Sequence, residues 1–245
     1  QLDISLTSNI RYNQYGQVVN RIPLESEARD GIITFESKDK SFKFWTDIRL
    51  NIDFTKHFDN YNNDISTTGN DADAIQLSDG GHIRRARIAF KSQISEKWYG
   101  EVDFDFRDLE VDINDLYLKY SANDNLDFKI GHFREPFGMM TNTTSRYVTF
   151  MERPLSSEMD PSRHVGIGAN YSHPRFASGI GLFSDVAYGV AEKDVRRKQR
   201  TGAESSWAVT GRLMGYALNK EHLTLGIGVG GSYRTPQITD EGFNT

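Results

Sequence analysis

From position 42 to 54 the chain sustains an apolar–polar alternation of period two. Phe42, Phe44, Ile48, Leu50, Ile52 and Phe54 fall on even positions, and Lys43, Asp47, Arg49, Asn51 and Asp53 on odd ones. Successive side chains of an extended strand point to opposite faces, so this stretch makes a strand with one apolar and one charged face. Strands in soluble proteins average about 5–6 residues. An alternation of 13 residues is far longer and limits the fold more than any other feature. The same pattern returns at 82–94, 98–107, 114–121, 125–133, 163–173, 178–190, 206–217 and 222–234, which makes nine expected strands. In 98–107, for example, Trp98, Val102, Phe104 and Phe106 oppose Tyr99, Glu101, Asp103, Asp105 and Arg107.

The connections between these strands alternate in length. Segments 55–81, 134–162 and 191–205 are long, whereas 95–97, 122–125, 173–177 and 219–221 are tight turns; the short 108–110 is the exception. Long loops at one end of a sheet and tight turns at the other are the layout of an outer-membrane β-barrel. About 10 residues at ~3.3 Å rise, tilted by ~40°, span roughly the 25 Å apolar band of such a barrel. Aromatics mark both ends of the apolar faces, with Phe42, Trp98, Tyr120 and Tyr171 at the turn end and Phe54, Phe106, Trp207 and Tyr233 at the loop end. Such girdles belong at the two membrane interfaces. A soluble β-sandwich is the competing fold, but sandwiches seldom carry such long charged faces on strand after strand.

Composition narrows the function classes. The formal charge of −5 lacks the basic excess of a sequence-independent nucleic-acid binder, so no nucleic-acid partner is expected. There is no cysteine, which removes disulfides and thiolate metal sites and suits passage through an oxidising periplasm. No apolar run approaches the ~20 residues of a membrane helix. The chain begins at Gln1, so either a leader has been removed or the chain simply starts there. Bacterial single-chain barrels have even strand numbers. Nine strands therefore lead us to expect the N-terminal portion of a longer barrel at 41–245, behind an N-terminal periplasmic segment at 1–40. A missed strand near 31–37 is the alternative explanation.

Six segments resemble the phosphate-selective porins O and P of Gram-negative outer membranes. They are Arg84-Arg-Ala-Arg-Ile-Ala-Phe90, Trp98-Tyr-Gly-Glu-Val-Asp-Phe104, Asp115-Leu-Tyr-Leu-Lys-Tyr120, Lys129-Ile-Gly-His-Phe-Arg-Glu-Pro-Phe-Gly138, Thr149-Phe-Met-Glu-Arg-Pro154 and Arg163-His-Val-Gly166. None is specific alone; their order and spacing over about 82–168 carry the resemblance. It implies a transmembrane antiparallel β-barrel of about sixteen strands, usually a homotrimer, with the third long loop folded into the lumen. Here that constriction-type loop would be 134–162.

A pore selects by its width and by the charges that line it. Guanidinium suits phosphate, because its planar donors match the oxygens in pairs and its charge persists at every relevant pH. On the first five strands the residues with lumen parity are Lys43, Arg49, Arg85, Arg87, Lys91, Arg107, Lys119 and Lys129, against Asp47, Asp53, Glu101, Asp103, Asp105, Asp115 and Asp127. The signs nearly balance. Cross-strand pairing in a water-filled wall explains most of these charges, while segregated basic and acidic walls would make a transverse field instead. Arg84 has the opposite parity and sits near the loop end. Within 134–162, Arg146 and Arg153 would meet solutes at the narrowest point, with Glu152 as an internal partner. The expected pore-lining, anion-binding set is thus Arg49, Arg85, Arg87, Lys91, Arg107, Lys129, Arg146 and Arg153.

A second basic cluster, Lys193, Arg196, Arg197, Lys198 and Arg200, would draw anions to the mouth, bind lipopolysaccharide phosphates, or simply be solvated. An enzymatic role finds little support. Glu101, Asp103 and Asp105 share a face but lie beside basic residues. No His-Glu-x-x-His or Gly-x-Ser-x-Gly motif occurs, and the Asn/Asp-rich 60–73 loop lacks EF-hand spacing. The expectation is a porin for passive diffusion of small anionic, phosphate-like solutes, needing no cofactor, in contact with outer-membrane lipid and lipopolysaccharide. A non-conducting docking barrel is the alternative.

Overall fold

The computed structural model describes residues 11–12, 18–19, 24–29, 32–56, 79–107, 111–184, 207–220, 222–234, 238–239 and 242–243. Eleven strands form one antiparallel sheet: β3 Leu24–Arg29, β4 Ile32–Ser37, β5 Phe42–Thr55, β6 Gly80–Ile94, β7 Trp98–Asp105, β8 Asp112–Ser121, β9 Leu126–Arg134, β10 Arg163–His173, β11 Phe176–Ser184, β12 Trp207–Lys220 and β13 Leu223–Arg234. Each strand pairs with its sequence neighbour, the meander from which up-and-down barrels are built, and β3 and β13 remain the two edges. Two short antiparallel pairs, β1 Arg11–Tyr12 with β2 Val18–Val19 and β14 Ile238–Thr239 with β15 Gly242–Phe243, stand outside the sheet.

All nine expected strands are present, and β3 and β4 raise the count in the sheet to eleven. β4 lies where a missed strand was suspected. β3 reads Leu-Glu-Ser-Glu-Ala-Arg, too polar on both faces to announce itself. These two strands fall within the 1–40 stretch set apart on sequence grounds, and β4 continues into β5 through a tight turn containing Lys40 at φ 58°. The last part of the expected strand 178–190, most of the 55–81 loop and all of 191–205 with its basic cluster lie outside the described residues.

The sheet has the inverse of a soluble protein's polarity. Ile48 is 68% exposed, Ile130 58% and Val229 69%, while Arg85, Asp103, Asp105, His132 and His164 are buried. An apolar face of this extent needs a covering, and the hydrocarbon of a membrane supplies it. Trp98 packs on Tyr120 at 4.9 Å at the turn end, and Trp207 on Tyr233 at 5.7 Å at the loop end, so the girdles are formed by cross-strand pairs.

Three irregularities bend the ladder near the positions that matter. Between β5 and β6 the register passes from Asn51↔Arg85 to Ile52↔Ile83, which leaves Arg84 as a bulge residue. Parity places Arg84 on the apolar face, but the bulge breaks the phase and its side chain reaches a carboxylate of the 134–162 segment. A second bulge leaves out Asn114 and a third Ala217. Gly131, at φ +131°, sits so close to β8 that a Cβ there would be 2.2 Å from the Leu116 carbonyl oxygen.

Candidate functional site

The polar face of β5 to β9 is a lattice of cross-strand ion pairs. Arg87 lies directly opposite Asp105, and its Nε donates to Oδ2 at 2.8 Å. Lys91 faces Glu101 at 3.6 Å and reaches Asp47 on its other side at 3.1 Å. Glu101 also accepts from the Tyr99 hydroxyl at 2.7 Å and the Tyr117 hydroxyl at 2.8 Å. Arg163 grips Asp115 through both Nε, at 3.1 Å, and a terminal nitrogen, at 2.9 Å, the planar fork that only Arg provides. Lys119 and Asp127 are 3.7 Å apart. Most wall charges are therefore neutralised by a neighbour, as the near balance of signs suggests.

Several cations are not. Arg49 stands opposite Arg87 in the ladder, has no carboxylate partner among the described residues, and donates to the Ser145 hydroxyl at 2.6 Å. Arg85, only 9% exposed, has no ion-pair partner among the described residues and lies within electrostatic reach of Arg84, Arg87 and Arg153. Lys129 sits over the Tyr117 ring at 4.6 Å and the Phe133 ring at 5.7 Å, held by ring faces. Arg107, half-buried two residues beyond the end of β7, is not one of them, because a neighbour engages it. Arg134 closes β9 beside Arg163, Arg153 and Asp115, and completes a loop-end cluster with Arg49, Arg84, Arg85, Arg87, Arg153 and Arg163. The carboxylates within their electrostatic reach are Asp53, Glu101, Asp103, Asp105, Asp115 and Glu152, six against seven guanidiniums, so the signs nearly balance with a slight positive excess.

The 134–162 segment lies across this same face. It contains the short helix α1 Met139–Asn142 and 3₁₀ turns at Ser145–Tyr147 and Leu155–Met159. Its first residues rest on strands that present glycine. A Cβ on Gly179 would be 3.0 Å from Pro136, and one on Gly230 would be 3.2 Å from the Phe137 carbonyl oxygen. Beneath it Phe133 and Phe183 meet edge to face at 5.3 Å, both almost fully buried. Farther along, Ser145 meets Arg49, Arg146 pairs with Asp47, and Glu152 pairs with Arg84, so the segment spans from β11 and β13 to β5 and β6. Its fold is closed internally by Thr141 on Asp160 and by the Asn142 amide donating to the carbonyls of Glu135 and Gly138, both at 3.0 Å.

Of the two segment arginines expected to meet solutes, Arg146 is engaged by Asp47. Arg153 has no carboxylate in ion-pair contact among the described residues: it donates to the carbonyls of Met140 at 2.9 Å and Thr143 at 2.7 Å. Burial lowers its pKa, with the Arg163 and Arg87 charges acting in the same direction. The Arg84 guanidinium, by contrast, holds the Glu152 carboxyl below its usual value. Sequence reasoning assigned no role to Arg163, Arg134 or Arg212. The first two stand where the strand ends meet the segment and parity no longer sorts residues by face. Arg212 lines a polar cavity of about 520 Å³ with Tyr99, Tyr117, Lys119, Lys129 and Asn142.

The family model of phosphate-selective porin O and P matches residues 46–233. The chain belongs to this family. It is also 26% identical over 175 residues to Porin O of Pseudomonas aeruginosa, a match covering 67% of this chain and 36% of that protein. The chain thus spans little more than a third of the length of the curated relative it matches. Membership makes the sheet part of an outer-membrane porin β-barrel and accounts for the exposed apolar face.

Proposed function

We propose that this porin conducts small anionic, phosphate-like solutes by passive diffusion, and that Arg49, Arg85 and Arg153 form its selective contact zone. The observation that carries this reading is that, among the described residues, these three guanidiniums have no carboxylate in ion-pair contact although they lie where the 134–162 segment crosses the polar face. An uncompensated cation in a narrow, partly dry space is costly, and a passing anion relieves that cost. Phosphate exchanges water for forked N–H donors, then moves to the next guanidinium without a bound state deep enough to trap it. Arg87, Lys91 and Arg146 act differently. Their partners hold them, so they shape the wall and fix the segment while contributing little net field. The segment narrows the passage as a constriction, within a closed barrel of about sixteen strands that assembles as a homotrimer. No cofactor takes part.

The test is the zero-current potential of the full-length protein in a planar bilayer, across a potassium phosphate gradient and then a potassium chloride gradient. Anion-selective reversal, weakened when Arg49, Arg85 or Arg153 is replaced by Gln, is the expected result. Cation-selective reversal overturns the anion reading, and a folded barrel with no conductance overturns conduction altogether in favour of a docking role.

A further inference from the structure

We propose that Glu135 is the positioning residue that fastens the 134–162 segment to the wall, with Gly179 and Gly230 kept free of side chains to receive it. Glu135 is completely buried, at 0% exposure, although it stands in a connecting segment on a polar face. A carboxylate in such a place is tolerated only when its oxygens are engaged by several donors. Those donors come from three different strands. His164 Nδ1 of β10 lies 2.6 Å from Oε1, Arg234 of β13 donates to Oε2 at 2.6 Å, and the Thr210 hydroxyl of β12 bonds the same oxygen. That 2.6 Å approach is a polar contact, which a hydrogen on Nδ1 of His164 would complete as a bond to the carboxylate. Ser232 ties the group together, 2.8 Å from the Thr210 hydroxyl and 3.2 Å from Arg234 Nε.

One side chain thus locks three strands and the entry of the segment into a single geometry. The two residues that follow fit only because β11 and β13 are bare there. The atoms nearest a Gly230 side chain are all Phe137 backbone, which cannot swing aside as a side chain would. The distant end is held more loosely, because the side chains of Arg146 and Glu152 are 39% and 59% exposed and such pairs contribute little. The dry end sets where the segment lies; the wet end adjusts to it.

The proposal rests on the reading that this segment narrows the pore, and the test separates the two. The full-length protein is reconstituted as wild type, Glu135→Gln, Thr210→Val, Thr210→Ser and Gly230→Val. Folding is checked by gel mobility with and without heating. Single-channel conductance and the rate of tryptic cleavage at Arg146 and Arg153 are then measured. The amide of Glu135→Gln turns N–H donors toward His164 and Arg234. We expect Glu135→Gln, Gly230→Val and Thr210→Val to give folded barrels with larger, noisier conductance and cleavage accelerated by roughly tenfold or more, the scale of a buried charge losing its partner. Thr210→Ser, which keeps the hydroxyl, should behave as wild type.

Folded Glu135→Gln protein with unchanged conductance and cleavage overturns the proposal. If Glu135→Gln does not fold, unchanged behaviour of Thr210→Val and Gly230→Val overturns it instead. If cleavage accelerates while conductance stays fixed, the latch stands and the constriction reading fails.

Discussion

Replacing Arg87 by Met tests whether the wall pairs are structural. Arg87 and Asp105 keep only 14% and 6% of their side-chain surface exposed, and their contact is a 2.8 Å charge-assisted bond. Removing the guanidinium leaves the Asp105 carboxylate only the backbone N–H groups of Ala86, at 3.4 Å, and of Arg107. Breaking one partner of a buried pair costs about 3–5 kcal/mol. Arg49, directly across the ladder, would be relieved of a like charge, which brings the net loss to about 2–4 kcal/mol. The double variant Arg87→Met with Asp105→Asn removes the orphaned charge and should recover more than half of that loss, so the cycle yields a coupling of about 2 kcal/mol. Urea titration of the protein refolded into lipid vesicles, followed by tryptophan fluorescence, measures all corners of the cycle. A loss below about 1 kcal/mol for the single variant, or strict additivity in the double, would show a solvated wall where the pair does nothing for stability.

Other expectations follow from single contacts. Gly131→Ala would force a Cβ to within 2.2 Å of the Leu116 carbonyl at a positive φ, so it should destabilise by more than about 2 kcal/mol, read as a lower midpoint in the same titration. Ile48→Lys places a charge on a 68% exposed apolar position. It should cost about 2–4 kcal/mol in lipid vesicles and far less in short-chain detergent micelles, which deform around it. The Arg84–Glu152 contact should depend on pH with a definite sign. Because the folded pKa of Glu152 is lowered from its ordinary 4.5, the contact is complete above that value and is lost as pH falls through the lower folded one. Its exposure limits it to about 1 kcal/mol. Current noise should therefore rise on acidification below about pH 4, and Glu152→Gln should be noisy at every pH.

The alternation of 42–54 and its repeats made the sheet, its two faces and its long and short ends legible, because period two is a direct consequence of extended backbone. Three things escaped it. β3 carries Leu24, Ser26 and Ala28 on one face, too weak a set to stand out, and its place is fixed by pairing with β4. Parity alone did not bring Arg84 to the polar face, because one inserted residue inverts it, and bulges leave no mark in composition. Glu135 read as one charge among several in a long loop, since nothing local distinguishes a carboxylate destined for complete burial from a solvated one. Its donors, His164, Thr210 and Arg234, are supplied by strands up to 99 residues away. The ion pairs of β5 to β9 were foreseeable as a class, but which arginines would be left over was not. That depends on which register brings Arg49 opposite Arg87 and which segment residues take up Asp47 and Arg84.

The inner face divides along the chain: β5 to β9 carry the ionic lattice, whereas Gly166, Gly168, Gly179, Gly181, Gly226, Gly228 and Gly230 leave β10, β11 and β13 nearly smooth. On the function proposed above, sieving and charge discrimination fall to different stretches of sequence. A lineage that needs a new solute can rewrite the sign and spacing of the ionic strands while the smooth strands go on holding the same aperture. Grafting β5 to β9 from one such porin onto the smooth half of another should exchange their ion preferences and leave their size cut-offs where they were.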